Sequence, residues 1–124
     1  MGRPKSVGPT DHELLILKIL WDDSPVGVSE ILERFPKKPA PAYSSLLTIV
    51  RLMEQKGYIK HVKEGKAFLY SPILKQDIHK KSELKNIADK LFGGSRFDLA
   101  VNLLKEEKLS AAEVRKLKEL LEGL

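Results

Sequence analysis

The feature that most constrains this chain is a change of period at Gly57. Up to Gln55, apolar residues recur at helical spacing in three segments. From Tyr58 the pattern is that of strands, and from Lys75 it is helical to the end. The first helix opens on Thr10 with Glu13 three residues on, a capping box, and its apolar run begins at Leu14. Asp22-Asp23-Ser24-Pro25 stops it. A short helix over Val28–Arg34 carries Val28, Ile31, Leu32 and Phe35 on one face. Pro36, Pro39 and Pro41 impose a loop, and a third helix runs from about Ala42 to Lys56 with Gly57 as its C-terminal cap. Tyr58–Val62 and Ala67–Ser71 then form a hairpin around Lys63-Glu64-Gly65-Lys66. Three helices followed by a basic hairpin make a winged helix-turn-helix.

The third helix presents two unlike faces. Leu46, Ile49, Val50 and Met53 are its core face. Ser44, Thr48, Arg51 and Gln55 form the opposite stripe, with Ser45 beside it and Tyr43 at the N-terminal end. A solvated surface is the plainer reading of any such stripe. An ordinary surface helix, however, carries Glu–Lys pairs, and Ser-Ser-x-x-Thr is a poor helix former. Short hydroxyl side chains let a helix backbone approach a groove floor, donate to phosphates or base edges, and touch a thymine methyl. Arg51 can clamp a phosphate or grip guanine. Tyr43, Ser44, Ser45, Thr48 and Arg51 are therefore the expected DNA-reading residues.

Charge distribution points the same way. The chain carries a formal +5, yet Arg34 to Lys66 holds eight basic residues against Glu54 and Glu64, so the remainder is close to neutral. Lys63 and Lys66 at the wing turn are expected on the DNA backbone, with Lys60 nearby and His61 as a further donor. The alternative for the hairpin alone is a lysine-guarded edge strand. Residues 1–9 read as a flexible basic arm whose Arg3 and Lys5 are within reach of a phosphate or the minor groove; an inert, disordered arm is the alternative.

Residues 73–124 are too few for a self-sufficient core, yet they carry three amphipathic helices. Leu84, Ile87 and Leu91, then Phe97 and Leu104, then Val114, Leu117 and Leu121 line their apolar sides. These are the expected dimerisation residues, since a two-fold protein matches a palindromic site; folding back on the N-terminal domain is the alternative. The expected division is thus an arm over 1–9, a winged-helix DNA-binding domain over 10–72 and a helical dimerisation domain over 73–124. The fold class is mostly α with a small β wing.

Several function classes are excluded or disfavoured. There is no cysteine, which removes disulfides, thiolate metal sites and cysteine nucleophiles. His12, His61 and His79 are too far apart in sequence for a helical metal pair, so no metal and no cofactor is expected. No glycine-flanked strained serine, paired carboxylate site or phosphate loop is found, and no catalytic residue is assigned. No apolar run reaches the ~20 residues of a membrane span, and no apolar leader follows the basic N-terminus, so a cytoplasmic protein without membrane insertion is expected. A winged helix used for protein–protein assembly, with the third helix docking another protein, is the alternative to DNA binding.

The order and spacing of several pieces resemble the penicillinase-repressor family (the BlaI/MecI type), to which copper-responsive CopY-type repressors are related. The pieces are Thr10-Asp11-His12-Glu13-Leu14 with Leu17–Trp21, Thr48–Gly57 (TIVRLMEQKG), Lys63–Pro72 (KEGKAFLYSP), and Leu109-Ser110 with Glu113. The resemblance extends over nearly the whole chain. The resemblance implies a bacterial homodimer that binds a double-stranded palindromic operator and represses transcription. It also implies relief by proteolysis, through a membrane sensor and its linked protease. The position matching the family's cleaved Asn-Phe bond is Asn102-Leu103, with leucine in place of phenylalanine. Lys66 stands where the family's wing carries arginine. The copper-sensing relatives use C-terminal cysteines, which this chain lacks.

Overall fold

A computed structural model describes residues 8–124. They fall into two compact units, one ending at Lys80 and one over Lys81–Leu124. Arg3 and Lys5 lie outside the described residues.

Helix α1 (Asp11–Asp22) starts where its capping box requires. Thr10 Oγ1 accepts from the Glu13 N–H at 3.2 Å, and Glu13 Oε1 accepts from the Thr10 N–H at 2.9 Å. These bonds satisfy two of the donors that a helix N-terminus leaves free. Its Ile16, Leu17 and Leu20 are buried completely or nearly so. Helix α2 (Val28–Arg34) buries Val28 and Ile31, and Phe35 follows them into the core. Helix α3 (Tyr43–Gln55) buries Leu46, Val50 and Met53 entirely, while Ile49 packs at the margin. Each such aliphatic side chain taken out of water contributes about 1.5–3 kcal/mol, so this three-helix cluster is the main stabilising mass of the unit.

Gly57 ends α3 for a reason of backbone geometry. It sits at φ +83°, in the left-handed region, and donates its N–H to Glu54 O at 3.1 Å. Tyr58 N–H donates to Met53 O at 3.0 Å. These two bonds form a Schellman cap and turn the chain into the hairpin.

Strands β1 (Ile59–Glu64) and β2 (Ala67–Pro72) pair antiparallel, from Ile59 opposite Pro72 to Glu64 opposite Ala67. The register leaves only Gly65-Lys66 as the turn. The expected four-residue connection is therefore too long, since Lys63 and Glu64 belong to β1. Gly65 at φ +62° followed by a residue of negative φ is the II′ pattern, which matches the twist of a two-residue hairpin. Val26, in the α1–α2 loop, adds an isolated bridge to β2: its N–H donates to Tyr70 O at 3.1 Å, and Tyr70 N–H donates to Val26 O at 2.8 Å. The wing is thereby tied to the helix-turn-helix by backbone bonds as well as by the burial of Ile59 and Tyr70. Beyond Pro72, Trp21 Nε1–H donates to Leu74 O at 2.8 Å and its ring lies 5.9 Å from that of His79.

Helix α4 (Gln76–Leu91) runs into the second unit. There Gly93 and Gly94 take positive φ and close the helix, with Gly94 N–H donating to Ala88 O at 2.9 Å. Helix α5 (Arg96–Lys105) is capped by Ser95, whose Oγ accepts from the Asp98 N–H at 3.0 Å. Helix α6 (Ala111–Glu122) has a complete capping box between Ser110 and Glu113. Ala88 is the one residue of this unit that is fully buried in the single chain.

Candidate nucleic-acid interface

The α3 face opposite the core is exposed along its length. Tyr43, Ser44, Ser45, Thr48, Arg51 and Gln55 all meet solvent. Thr48 Oγ1–H donates to Ser44 O at 3.0 Å. Its hydrogen is thus used within the helix, and Thr48 shows solvent a methyl group and oxygen lone pairs. Ser44 and Ser45 make no side-chain bond among the described residues, so their hydroxyls are free to donate.

The wing borders the same face. Tyr43 and Leu47 of α3 line one groove with Ser29 and Glu30 of α2 and with Lys66, Phe68 and Leu69 of the wing. The fold therefore brings Tyr43 and Lys66, far apart in sequence, to one cleft. Strand alternation puts Ile59, His61 and Lys63 on one face of the ribbon and Lys60, Val62 and Glu64 on the other. Lys60, Lys63 and Lys66 are all exposed.

Two bases of the central stretch are engaged within the fold. Lys56 Nζ donates to Glu13 Oε2 at 2.7 Å, and Glu13 is almost wholly buried. Arg34 pairs with Asp23 at 2.9 Å and more loosely with Glu30 at 3.9 Å. The reading of His61 as a wing donor is corrected as well. Its Nδ1 lies 2.6 Å from Glu54 Oε2, and its ring stacks on Phe68 at 4.3 Å and 9° and tilts against Tyr70 at 5.6 Å. Because His61 shares a strand face with buried Ile59, it turns toward α3 and not outward. His12 stacks on Phe35 at 5.9 Å. Each histidine thus lies against an aromatic ring.

Tyr70 sits beneath this contact, buried on the wing's inner face. Burial pushes its hydroxyl pKa up; the Glu54 carboxylate adds to that push and the Arg51 guanidinium opposes it. Both charges of α3 therefore act on one phenol. Among the described residues Arg51 pairs with no carboxylate, which leaves the guanidinium available to an outside anion.

A family model for penicillinase repressors matches residues 9–123. The chain belongs to the penicillinase repressor family. It is 24% identical over 113 residues to the penicillinase repressor of Bacillus licheniformis, covering 91% of this chain and 88% of that one. It is 27% identical over 109 residues to the penicillinase repressor of Staphylococcus aureus, covering 88% and 86%. The solution structure of the DNA-binding domain of the repressor BlaI is similar at a TM-score of 0.51 and 25% identity, over 61% of this chain and 93% of that domain. The winged-helix fold class holds: helices with a two-stranded antiparallel wing. The penicillinase repressor family is one of DNA-binding transcriptional repressors and not of enzymes.

In the second unit the eight residues expected to make a dimer remain largely uncovered in the single chain. Leu84, Ile87, Leu91, Phe97, Leu104, Val114 and Leu121 are exposed, and Leu117 is half-buried. Asn102 and Leu103 lie within α5, also exposed, with Asn102 Nδ2–H donating to Asp98 O at 2.9 Å. No described helix is long and apolar enough to cross a membrane.

The residues that sequence reasoning missed are connectors: Val26, Glu54, Lys56, Tyr70 and Trp21. The period-2 alternation that puts His61 beside Ile59 was the one signal present for the Glu54 contact. Nothing local marks Val26 or Leu74 as partners of residues more than forty positions away.

Proposed function

We propose that this penicillinase repressor family member binds a palindromic operator as a homodimer and blocks transcription. One α3 enters a major groove in each half-site. The observation that carries the reading is the exposed hydroxyl-and-arginine face of α3 beside an exposed lysine turn. Ser44, Ser45 and Tyr43 face base edges or phosphates, and Thr48 offers its methyl and an acceptor. Arg51 serves as clamp, while Lys63 and Lys66 add salt-dependent affinity from the flanking backbone. An exposed α3 face would also serve protein assembly; membership in a repressor family favours DNA.

The homodimer is supported by the uncovered apolar side chains of the second unit. Phe97 is 75% exposed and Leu91 71% in the single chain, more apolar surface than a solvated helix ordinarily shows. The reading keeps a DNA-binding domain over 10–72 and a dimerisation domain over 73–124, with the first eight residues of the latter clustering with the first compact unit, which ends at Lys80. Derepression by a sensor-linked protease is the regulatory part of the reading, with Asn102–Leu103 as the bond. That bond lies inside a helix of ten residues with no buried side chain, so a protease must unwind α5, and its opening is inexpensive.

The test is a titration of the duplex upstream of the regulated gene across a salt series. Wild-type protein should bind with a steep salt dependence, and Arg51→Ala combined with Ser44→Ala should abolish specific binding while leaving thermal unfolding unchanged. Absent or salt-insensitive binding to every duplex tried would overturn the reading.

A further inference from the structure

Helix α3 carries one base, Arg51, and one acid, Glu54. They stand three residues apart, the spacing at which helix side chains meet. Such a carboxylate is an obstacle on a DNA-facing helix: it competes with phosphate for the guanidinium and repels the backbone. Yet Glu54 is not paired with Arg51. Its Oε2 accepts a hydrogen bond of 2.6 Å from His61 Nδ1–H on the wing, the ring nitrogen carrying the hydrogen because a carboxylate oxygen only accepts. Glu54 and His61 are each about one-third exposed at 32%, so water is partly excluded from the contact. The imidazole is itself held. Phe68 stacks on one side at 4.3 Å and nearly parallel, and Tyr70 tilts against it at 5.6 Å. Tyr70 is fixed in turn by its burial and its backbone bridge to Val26. Glu54 and Arg51 act on the Tyr70 hydroxyl in opposite senses.

We propose that His61 is a positioning residue for DNA binding: it draws the Glu54 carboxylate to the wing and so keeps the neighbouring Arg51 guanidinium unpaired for a phosphate or base edge. The inference rests on the DNA-binding reading and assigns His61 no contact with DNA. It differs from a merely structural role in its sign for Glu54. If the pair only fastened the wing, removing either partner would weaken binding. On this proposal, removing His61 frees a competitor for Arg51, whereas removing the Glu54 charge removes the competitor itself.

The experiment is operator titration of the full-length protein carrying His61→Ala, His61→Gln, Glu54→Gln, or His61→Ala with Glu54→Gln. His61→Ala should bind roughly threefold to tenfold more weakly, with a salt slope lower by about one per subunit. His61→Gln keeps an N–H for the carboxylate and should stay close to wild type. Glu54→Gln should bind as tightly as wild type or more so, and the double variant should recover most of the loss. Weaker binding by Glu54→Gln, or no recovery in the double variant, overturns the proposal. A second readout needs no DNA. In the free protein, water exchange of the Arg51 Nε–H, followed by NMR, should slow in His61→Ala and revert in the double variant; unchanged exchange also overturns it. No binding by the wild type would overturn the DNA reading together with this inference, whereas wild-type binding that His61→Ala leaves intact overturns the inference alone.

Discussion

Lys56 Nζ lies 2.7 Å from Glu13 Oε2, which joins the C-terminal cap of α3 to the third residue of α1. The two partners are not equivalent. Glu13 is 3% exposed and already gives its other oxygen to the Thr10 N–H, while the Lys56 side chain is 37% exposed and reaches water easily. Removing the lysine leaves a buried carboxylate half-satisfied. Removing the charge of the acid leaves an ammonium that can return to solvent. Lys56→Ala should therefore cost about 1–3 kcal/mol in urea unfolding, less than for a fully buried pair because one partner is solvated. Glu13→Gln, which keeps an acceptor for Thr10, should cost under about 1 kcal/mol. The double variant should resemble Glu13→Gln alone, and full additivity would show that the pair is not coupled.

Lys63 and Lys66 give a prediction of a different kind. Both are exposed, and neither makes an ion pair among the described residues. Alanine at either should weaken binding to operator and to unrelated duplex by the same factor, and should lower the salt slope by about one for each phosphate left without its lysine. Melting temperatures should not move. A change in the ratio of specific to non-specific affinity, measured by competition titration, would place these lysines on base edges instead.

Much of the fold was legible because its signals are local. Thr10 and Glu13 cap α1 within three residues of each other, as Ser110 and Glu113 cap α6. Gly57 ends α3 and Gly65 turns the hairpin because each needs positive φ. The hydroxyl stripe of α3 followed from helical spacing alone. What was not legible depends on elements meeting in space. Counting charge along Arg34–Lys66 includes Lys56 as a free base, and the wing reading takes His61 as a further donor, but Glu13 and Glu54, brought close by packing, engage them. The hairpin turn was misjudged at Lys63 and Glu64, where charged residues look like loop in sequence but lie in a strand whose register is set by Ile59 and Tyr70 entering the core.

The capping box of α6 should give a pH signature. Hydrogen bonds from the Ser110 N–H, and then with the Ser110 side chain, hold the Glu113 carboxyl below the usual carboxylate range. A carboxyl whose pKa is depressed by folding stabilises the folded state above its unfolded pKa, and that stabilisation is lost as pH falls through the folded value. Glu113→Gln should therefore melt below wild type at neutral pH, and the gap should close as the solution is acidified below the ordinary carboxylate range. Ser110→Ala should lower stability by about 1 kcal/mol through the lost cap itself. A gap that stays constant across the acid range would mean that the charge contributes nothing.

The proposed homodimer makes the last prediction, and it separates folding from assembly. The first unit buries its own core, with Ile16, Leu17, Ile31, Leu46, Val50 and Met53 all inaccessible. The second buries only Ala88 and leaves Phe97 and Leu121 at 75% and 59% exposure. An apolar surface that a second copy covers should be intolerant of charge, because a buried unpaired carboxylate costs several kcal/mol. Phe97→Glu and Leu121→Glu should therefore shift sedimentation from twice to once the 14.0 kDa chain mass, while the circular dichroism of the helix-turn-helix core and wing persists. Operator affinity should fall by about a hundredfold or more, since two half-sites bound in tandem become two independent weak associations. Binding to an isolated half-site should stay as it was. If both variants remain dimeric, the partner surface lies elsewhere. If they become monomers yet grip the full operator unchanged, the palindrome is not read by a two-fold protein.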